Sequence, residues 1–278
     1  MKKRKTLISW GLTLTMLIIS FIALFPLLTL IISSFQPAIE LMRNGITLDL
    51  NLENFTLDNY HYLLTQATEY WKWYGNSLLV TLFSVILSLF FSSMVGYAMA
   101  MYDFKGKNLL FIFVLLTMMI PFEVLMLPLY ELVIDLGITN SYFGIILPSI
   151  VAVNAVYFFR QYALGLPKEL MDAARIDGST EYGIFFRIMV PLMKPSFGSM
   201  TIILGLNSWN NFLWPLLVIR SSDLFTLPIG LQSLVSPYEN NYDILISGAV
   251  LSVVPIVILF IVFQKYFISG LTAGGVKG

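Results

Sequence analysis

Residues 77–100 read SLLVTLFSVILSLFFSSMVGYAMA, a stretch without a single charged side chain. An α-helix rises 1.5 Å per residue, so about 20 apolar residues cross the hydrocarbon of a bilayer. Lipid is the only solvent in which a run this long and this apolar is at ease, and it sets the fold class. Five further runs have the same character, at 8–34, 109–130, 141–159, 197–219 and 247–268. The expected fold is therefore an all-α membrane protein with six transmembrane helices in a single domain, 1–278. Residues 35–76 and 220–246 form external segments, 160–195 a cytoplasmic loop and 269–278 a tail. The third run is the least pure, carrying Pro121, Glu123 and Pro128. The MKKRK start leads into an apolar stretch longer than the 7–15 residues of a signal-peptide core and shows no small-residue cleavage pattern, so it is expected to remain as an anchor.

The composition agrees. Of 278 residues, 58% are hydrophobic and 12% charged, with formal net charge zero and mean hydropathy +0.82. A zero net charge gives no bulk attraction to nucleic acid. With no cysteine and only His61, which is expected to be solvated, a disulfide framework, a zinc site and a Cys/His nucleophile have little to work with.

Cytoplasmic flanks of membrane spans hold the excess of Lys and Arg. With the N-terminus inside, Lys2, Lys3, Arg4, Lys5, Lys105, Lys107, Arg160, Lys168, Arg175, Arg187, Lys194, Lys265 and Lys277 fall on the cytoplasmic side. Only Arg43, Lys72 and Arg220 of the 16 basic residues remain outside. Both termini are thus expected in the cytoplasm.

The inner loop, RQYALGLPKELMDAARIDGSTEYGIFFRIMVPLMKP at 160–195, is punctuated as two short helices with a break. Pro167 suits a first helical turn, and Glu169 and Asp172 lie near the positive end of the dipole. Gly178 sits where a left-handed residue would stop the helix, and Ser179 can cap the next, with Glu181 in its first turn. Pro191 and Pro195 are expected to end that second helix. The small pair Ala173 and Ala174 lies on the first arm. Residue chemistry alone leaves two roles open, an amphipathic helix on the lipid surface and a rigid elbow docking on a partner.

These residues resemble the permease subunits of binding-protein-dependent ATP-binding cassette (ABC) importers, in their maltose-transporter-like carbohydrate branch. The family loop runs Glu-Ala-Ala, three residues, Gly, nine residues, Ile-x-Leu-Pro. Here Asp172-Ala173-Ala174, Gly178 and Ile188-Met189-Val190-Pro191 keep every spacing, with Asp for Glu and Val for Leu. Pro167 to Leu170 and Asp177-Gly178 match the sugar branch, as do TLDNYHYLL, WYGNSLLV, MIPFEVLMLPLY, NSWNNFLWPLLV, TLPIGLQSL and the ending GLTAGGVKG, in order. The resemblance implies a multi-pass protein of a bacterial or archaeal inner membrane, importing a sugar, in particular an oligosaccharide. Its implied partners are a second, unlike permease subunit, two ATP-binding subunits carrying MgATP, and an extracellular sugar-binding protein. It also implies that Glu169, Asp172, Ala173, Ala174, Asp177 and Gly178 couple to the ATPase, and that Gly274, Gly275 and Lys277 reach between two ATPases. Ser233, Pro237, Tyr238 and Glu239 would meet the binding protein. No cofactor or metal is expected on this chain. Its nearest approach to a phosphate-binding loop, Lys105-Gly106-Lys107-Asn108, has no upstream glycine and no terminal hydroxyl, so ATP hydrolysis is expected on a separate subunit and catalytic residues are not expected here.

Polar groups inside spans need internal partners or a wet lining. Asn207, Trp209, Asn210, Asn211 and Trp214 in the fifth run are substrate-path candidates, because amides pair with sugar hydroxyls and indoles suit sugar rings. Hydrogen bonding between helices is the alternative. Glu123 is a further candidate, as a gate or relay, or as a carboxylate paired with a polar neighbour at a kink. Asn154 and Ser92-Ser93 read as helix-packing groups. The competing function is a secondary, ion-coupled transporter, which would use ionisable groups in broken helices; Glu123 is the one charge deep in a span.

Overall fold

The computed structural model describes residues 2–37, 39–40, 55–235 and 241–273, with side chains described at 9–37, 39–40, 55–235, 241–242 and 244–267. Arg43, Pro237, Tyr238, Glu239, Gly274, Gly275 and Lys277 lie outside the described residues. The helices are α1 (Lys2–Ser33), α2 (Asp58–Thr65), α3 (Thr68–Met101), α4 (Lys107–Met118), α5 (Phe122–Asp135), α6 (Tyr142–Ile146), α7 (Val153–Ala163), α8 (Glu169–Ile176), α9 (Glu181–Leu192), α10 (Lys194–Trp209), α11 (Leu213–Val218), α12 (Leu227–Ser233), α13 (Tyr242–Ser252) and α14 (Val254–Ala273). Among the described residues, four segments are long and apolar enough to cross a membrane: Ser9–Ser33, Thr68–Met101, Tyr142–Ala163 and Ile244–Phe267. Two bent pairs, α4 with α5 and α9 with α10, bring the number to six if each is one span.

Contacts divide the chain into two units. In the first, residues 1–71 with 231–253, α1 is exposed from Ser9 to Pro26 and becomes partly buried over its last two turns. Its hydroxyls turn inward onto their own helix: Thr13 donates to the Ser9 carbonyl at 3.0 Å and Thr15 to Gly11 at 2.9 Å. Beyond its C-terminus, the buried Asn59 amide donates to the carbonyls of Ser34 (2.9 Å) and Gln36 (2.8 Å), serving groups that the helix cannot pair itself. Tyr70 Oη donates to the Gly248 carbonyl of α13 at 2.9 Å.

The second unit, residues 72–230 with 254–278, holds the elbow and the polar groove described below. Its α10 and α14 pack as antiparallel neighbours. A Cβ on Gly198 would lie 2.4 Å from Tyr266 Cβ, and one on Gly205 would lie 2.9 Å from Leu259 Cδ1. The two glycines are seven residues apart, as are their partners, so each missing side chain admits one knob of the facing helix. Ser199 Oγ donates to the Tyr266 carbonyl at 3.1 Å along the same seam.

Three expectations change. The third run, read as a span over 109–130 with a kink, is two helices turned by 103° around Pro121. Proline has no N–H to continue the ladder and disfavours a helical residue before it. Pro121 has φ −59° and ψ 137° and sits at the N-cap of α5. The fifth run, read over 197–219, stops at Trp209 and resumes as α11. Pro191 does not end α9: Phe185–Met189 widens into a π-turn, the helix runs on to Leu192, and the 78° bend comes at Met193. A wider turn accommodates the proline ring and its missing donor.

Candidate functional site

In the elbow, the C-terminus of α8 closes in a Schellman arrangement. The Ser179 N–H bonds the Ala174 carbonyl at 2.9 Å, and Gly178 N–H bonds Arg175 at 3.0 Å. Gly178 takes φ +79°, the left-handed conformation that this closure needs. Because Ser179 is consumed by the turn, the cap of α9 falls one residue later than expected, on Thr180, whose hydroxyl accepts from Gly183 N–H at 3.2 Å. Pro167 likewise stands just before the helix, with Lys168 as N-cap.

The alanine pair divides. Ala174 is buried with Met171, Ile184 and Phe185 in the core of this unit, while Ala173, Glu169, Asp172, Asp177 and Gly178 are exposed. Ala174 therefore supports the elbow from beneath and is not part of its outer face, contrary to the expectation that both alanines form it. Two large apolar side chains that sequence reasoning passed over stand on the outside, Ile176 at 86% exposure and Tyr182 at 72%.

Arg175 binds the two arms together. Its Nη1 donates to Asp172 at 2.9 Å, its Nε to Glu181 Oε1 at 2.8 Å and its Nη2 to Glu181 Oε2 at 3.3 Å. The Arg175 hydrogen bond, with help from the Tyr102 hydroxyl, holds the Glu181 carboxyl below the usual carboxylate range. The same carboxylate raises the pKa of Arg175 in turn.

The second feature is a groove of about 800 Å³ whose polar wall includes Glu123, Ser149, Asn154, Asn207, Asn210 and Asn211. A smaller cavity of about 170 Å³ shares Ser149, Asn154, Asn207 and Asn211 and adds Ser84, Ser88 and Ser208. The Ser88 hydroxyl is buried without a hydrogen-bond partner among the described residues. Asn210 donates to Leu206 O at 3.0 Å within its own chain turn. Glu123 lies in the first turn of α5, and no ion pair to it occurs among the described residues.

The two indoles part company. Trp209 is buried edge-on to Tyr74, ring centroids 5.6 Å apart. Trp214 lines the groove, held by its Nε1 donating to the Gly144 carbonyl at 3.1 Å and by an edge contact with Phe122. Among the described residues Asn154 makes no hydrogen bond between helices; its Oδ1 accepts from Ala155 N–H at 2.9 Å. Ser92 does bridge helices, accepting from Ala152 N–H at 3.0 Å where the backbone is irregular before α7. Ser233 ends α12.

The arrangement combines an amide-lined groove with an exposed elbow braced by Arg175. The family model for the binding-protein-dependent transport system inner membrane component matches residues 92–272. An arabinooligosaccharides transport system permease protein, AraQ, of Halalkalibacterium halodurans is 65% identical over 99% of this chain and 100% of its own length. The protein of that name from Bacillus subtilis is 58% identical over 96% of this chain and 95% of its own. A lactose transport system permease protein, LacG, of Rhizobium radiobacter is 33% identical over 93% of this chain and 92% of its own. A bacterial ABC transporter involved in the import of the acidic polysaccharide alginate includes a chain that superposes with TM-score 0.81, at 23% identity over 93% of this chain and 96% of that one, which establishes likeness of fold.

Proposed function

Since the chain belongs to the family of binding-protein-dependent transport system inner membrane components, we propose that it serves an ABC importer as the permease subunit for arabinose oligosaccharides. It is an inner-membrane protein of carbohydrate import. The observation that carries the cargo is the 65% identity, along the full length, to an arabinooligosaccharide permease. Membership removes the ion-coupled alternative, because import in this family depends on a binding protein and an ATPase.

Within that role, the termini and the elbow face the cytoplasm, as the distribution of basic residues favours. The elbow docks on an ATPase through Ile176, Tyr182, Ala173 and the carboxylates of Glu169 and Asp172, and MgATP is held by two such subunits. Apolar side chains this exposed at the tip of an otherwise polar turn fit an interface with another protein. The groove forms part of the sugar path, completed by a second, unlike permease. The amides of Asn207 and Asn211 and the Glu123 carboxylate offer donors and acceptors to hydroxyls, with the Trp214 indole in the same wall. Gly274, Gly275 and Lys277 reaching the ATPases, and Ser233 to Glu239 meeting the binding protein, are the parts of this reading that rest on the resemblance alone.

The test is to express the chain with its second permease, ATPase and binding protein and to measure uptake. ATP-dependent uptake of arabinose oligosaccharides, with the ATPase retained when this chain is captured, is the expected result. Uptake driven by a proton or sodium gradient without ATPase would overturn the reading. Cysteines at Ser179 and Ser236 should be shielded from and accessible to an impermeant thiol reagent on intact cells, respectively, and the reverse pattern would invert the orientation.

A further inference from the structure

The elbow is fastened to one particular helix. Tyr102, the residue after α3, donates its hydroxyl to Glu181 Oε2 at 2.5 Å, the same carboxylate that Arg175 clamps from the other side. One turn earlier, Tyr97 Oη meets Met171 Sδ at 3.6 Å, and its ring lies edge-on to Tyr102 at 5.6 Å and tilted against Phe185 at 5.1 Å. Both arms of the elbow, α8 through Met171 and α9 through Glu181 and Phe185, are thereby tied to the end of α3. Lys107 consolidates that end, its Nζ donating to the Tyr102 carbonyl at 2.8 Å and Asp103 at 3.1 Å.

Of the span-length segments described, α3 alone contains no proline. Its 34 residues form one unbroken helix, and the same helix supplies Val80, Ser84 and Ser88 to the polar cavity. From Ser84 to Tyr102 the axis spans about 27 Å, so a tilt of about 5° at one end displaces the other by about 2 Å. A continuous helix transmits such a tilt, whereas one broken at proline absorbs it.

We propose that the Tyr102–Glu181 contact is the joint that makes the elbow and α3 turn as one body, with Tyr102 a positioning residue that relays elbow movement to the cavity wall. The joint rests on the importer reading above. It assigns Glu181 a second task beyond pairing with Arg175, and it makes α3 the moving wall of the path.

The experiment uses the complete importer, reconstituted in lipid vesicles with its binding protein, and reads sugar moved per ATP hydrolysed. Tyr102→Phe keeps the ring contacts and removes only the hydroxyl. The expected result is ATP hydrolysis close to the unmodified level with the transport ratio reduced about tenfold, the effect of losing one hydrogen bond to a charged acceptor. Adding Tyr102→Phe to Glu181→Ala should change nothing further, because the two act through one contact. Amide exchange of residues 169–181 should quicken in Tyr102→Phe whether or not sugar is present. An unchanged ratio, unchanged exchange, additive losses, or uptake and hydrolysis falling together with the amount of assembled complex each overturn the joint. Absence of ATP-dependent uptake in the unmodified assembly defeats the importer reading, and the joint with it.

Discussion

Gly178 allows a substitution whose effect is confined to the backbone. A Cβ built there meets nothing within 4 Å, so no steric clash accompanies a side chain, and the whole penalty comes from φ +79°. A left-handed conformation costs an ordinary L-residue about 1–2 kcal/mol, a β-branched residue more, and asparagine least. Gly178→Ala should therefore weaken the closed turn by about 1 kcal/mol, with Gly178→Val beyond that and Gly178→Asn near the unmodified protein. Each 1.4 kcal/mol shifts the balance between closed and opened elbow about tenfold. What opens is defined: Ser179 N–H leaves Ala174, and the grip of Arg175 across the two arms loosens. Gly178 lies outside the candidate spans, so membrane level should be constant across the series while ATP-dependent uptake falls in the order Gly, Asn, Ala, Val. An alanine variant as active as glycine, or an asparagine variant worse than alanine, would refute the reasoning.

Gly198→Ala should destabilise the purified protein by about 1–3 kcal/mol, since its Cβ would strike the Tyr266 Cβ and the backbones must part. Gly205→Ala meets the movable end of Leu259 and should cost less than about 1.5 kcal/mol; thermal unfolding in detergent reads the order, and equal losses would count against the seam. Glu123→Ala and Asn207→Ala should each lower maximal uptake severalfold at unchanged membrane level and unchanged half-saturating sugar concentration, which the binding protein sets; a shift in half-saturation alone would remove them from the path. The Glu181 carboxyl is held below its ordinary pKa, so its stabilising charge is fully present above the unfolded value of about 4.3 and is lost only as pH falls through the lower folded value. Elbow protection measured by amide exchange should hence be flat from pH 8 to 5, and a midpoint near 6 would point to a different group.

The spans were legible because lipid imposes a length and excludes charge, and both are properties of consecutive residues. Breaks were legible as positions and illegible as angles. Pro121 deletes one donor, but the 103° turn follows from where the two halves find packing. Val133 of α5 is buried with Ile145, Trp214 and Val218, and Tyr130 Oη takes a hydrogen bond from Arg220 at 2.8 Å. These partners stand far along the chain and leave no mark near Pro121. Much of the elbow was legible in the sequence for the opposite reason, because caps and left-handed turns are local; the cap moved from Ser179 to Thr180 because the Ser179 N–H is taken by the Ala174 carbonyl, while the burial of Ala174 and the passage of α9 through Pro191 depend on packing and on a π-turn that no local signal marks.

Sorting the polar residues of the fifth run was possible and was missed. Asn207, Asn210 and Asn211 are three and four residues apart, the spacing of one helical face, whereas Trp209 stands two from Asn207, on the opposite side; the groove brings the three asparagines together even though α10 ends at Trp209. Treating them as one cluster joined a groove wall to a core residue. A related pattern ran through the stretch that decided the fold: Ser77, Thr81, Ser84, Ser88 and Ser92 recur every three or four residues along α3. A stripe of hydroxyls on a helix that is otherwise apolar needs polar surroundings or protein partners. Ser77 and Ser92 have found backbone partners, the N–H groups of Leu227 at 2.7 Å and Ala152 at 3.0 Å. Thr81 and Ser88 have none among the described residues, and Ser84 and Ser88 face the small cavity. The stripe thus changes task along its length, holding α3 against its neighbours at Ser77 and Ser92 and, between them, lining a space that water or a sugar hydroxyl would fill, and that change is invisible until the other walls are in place.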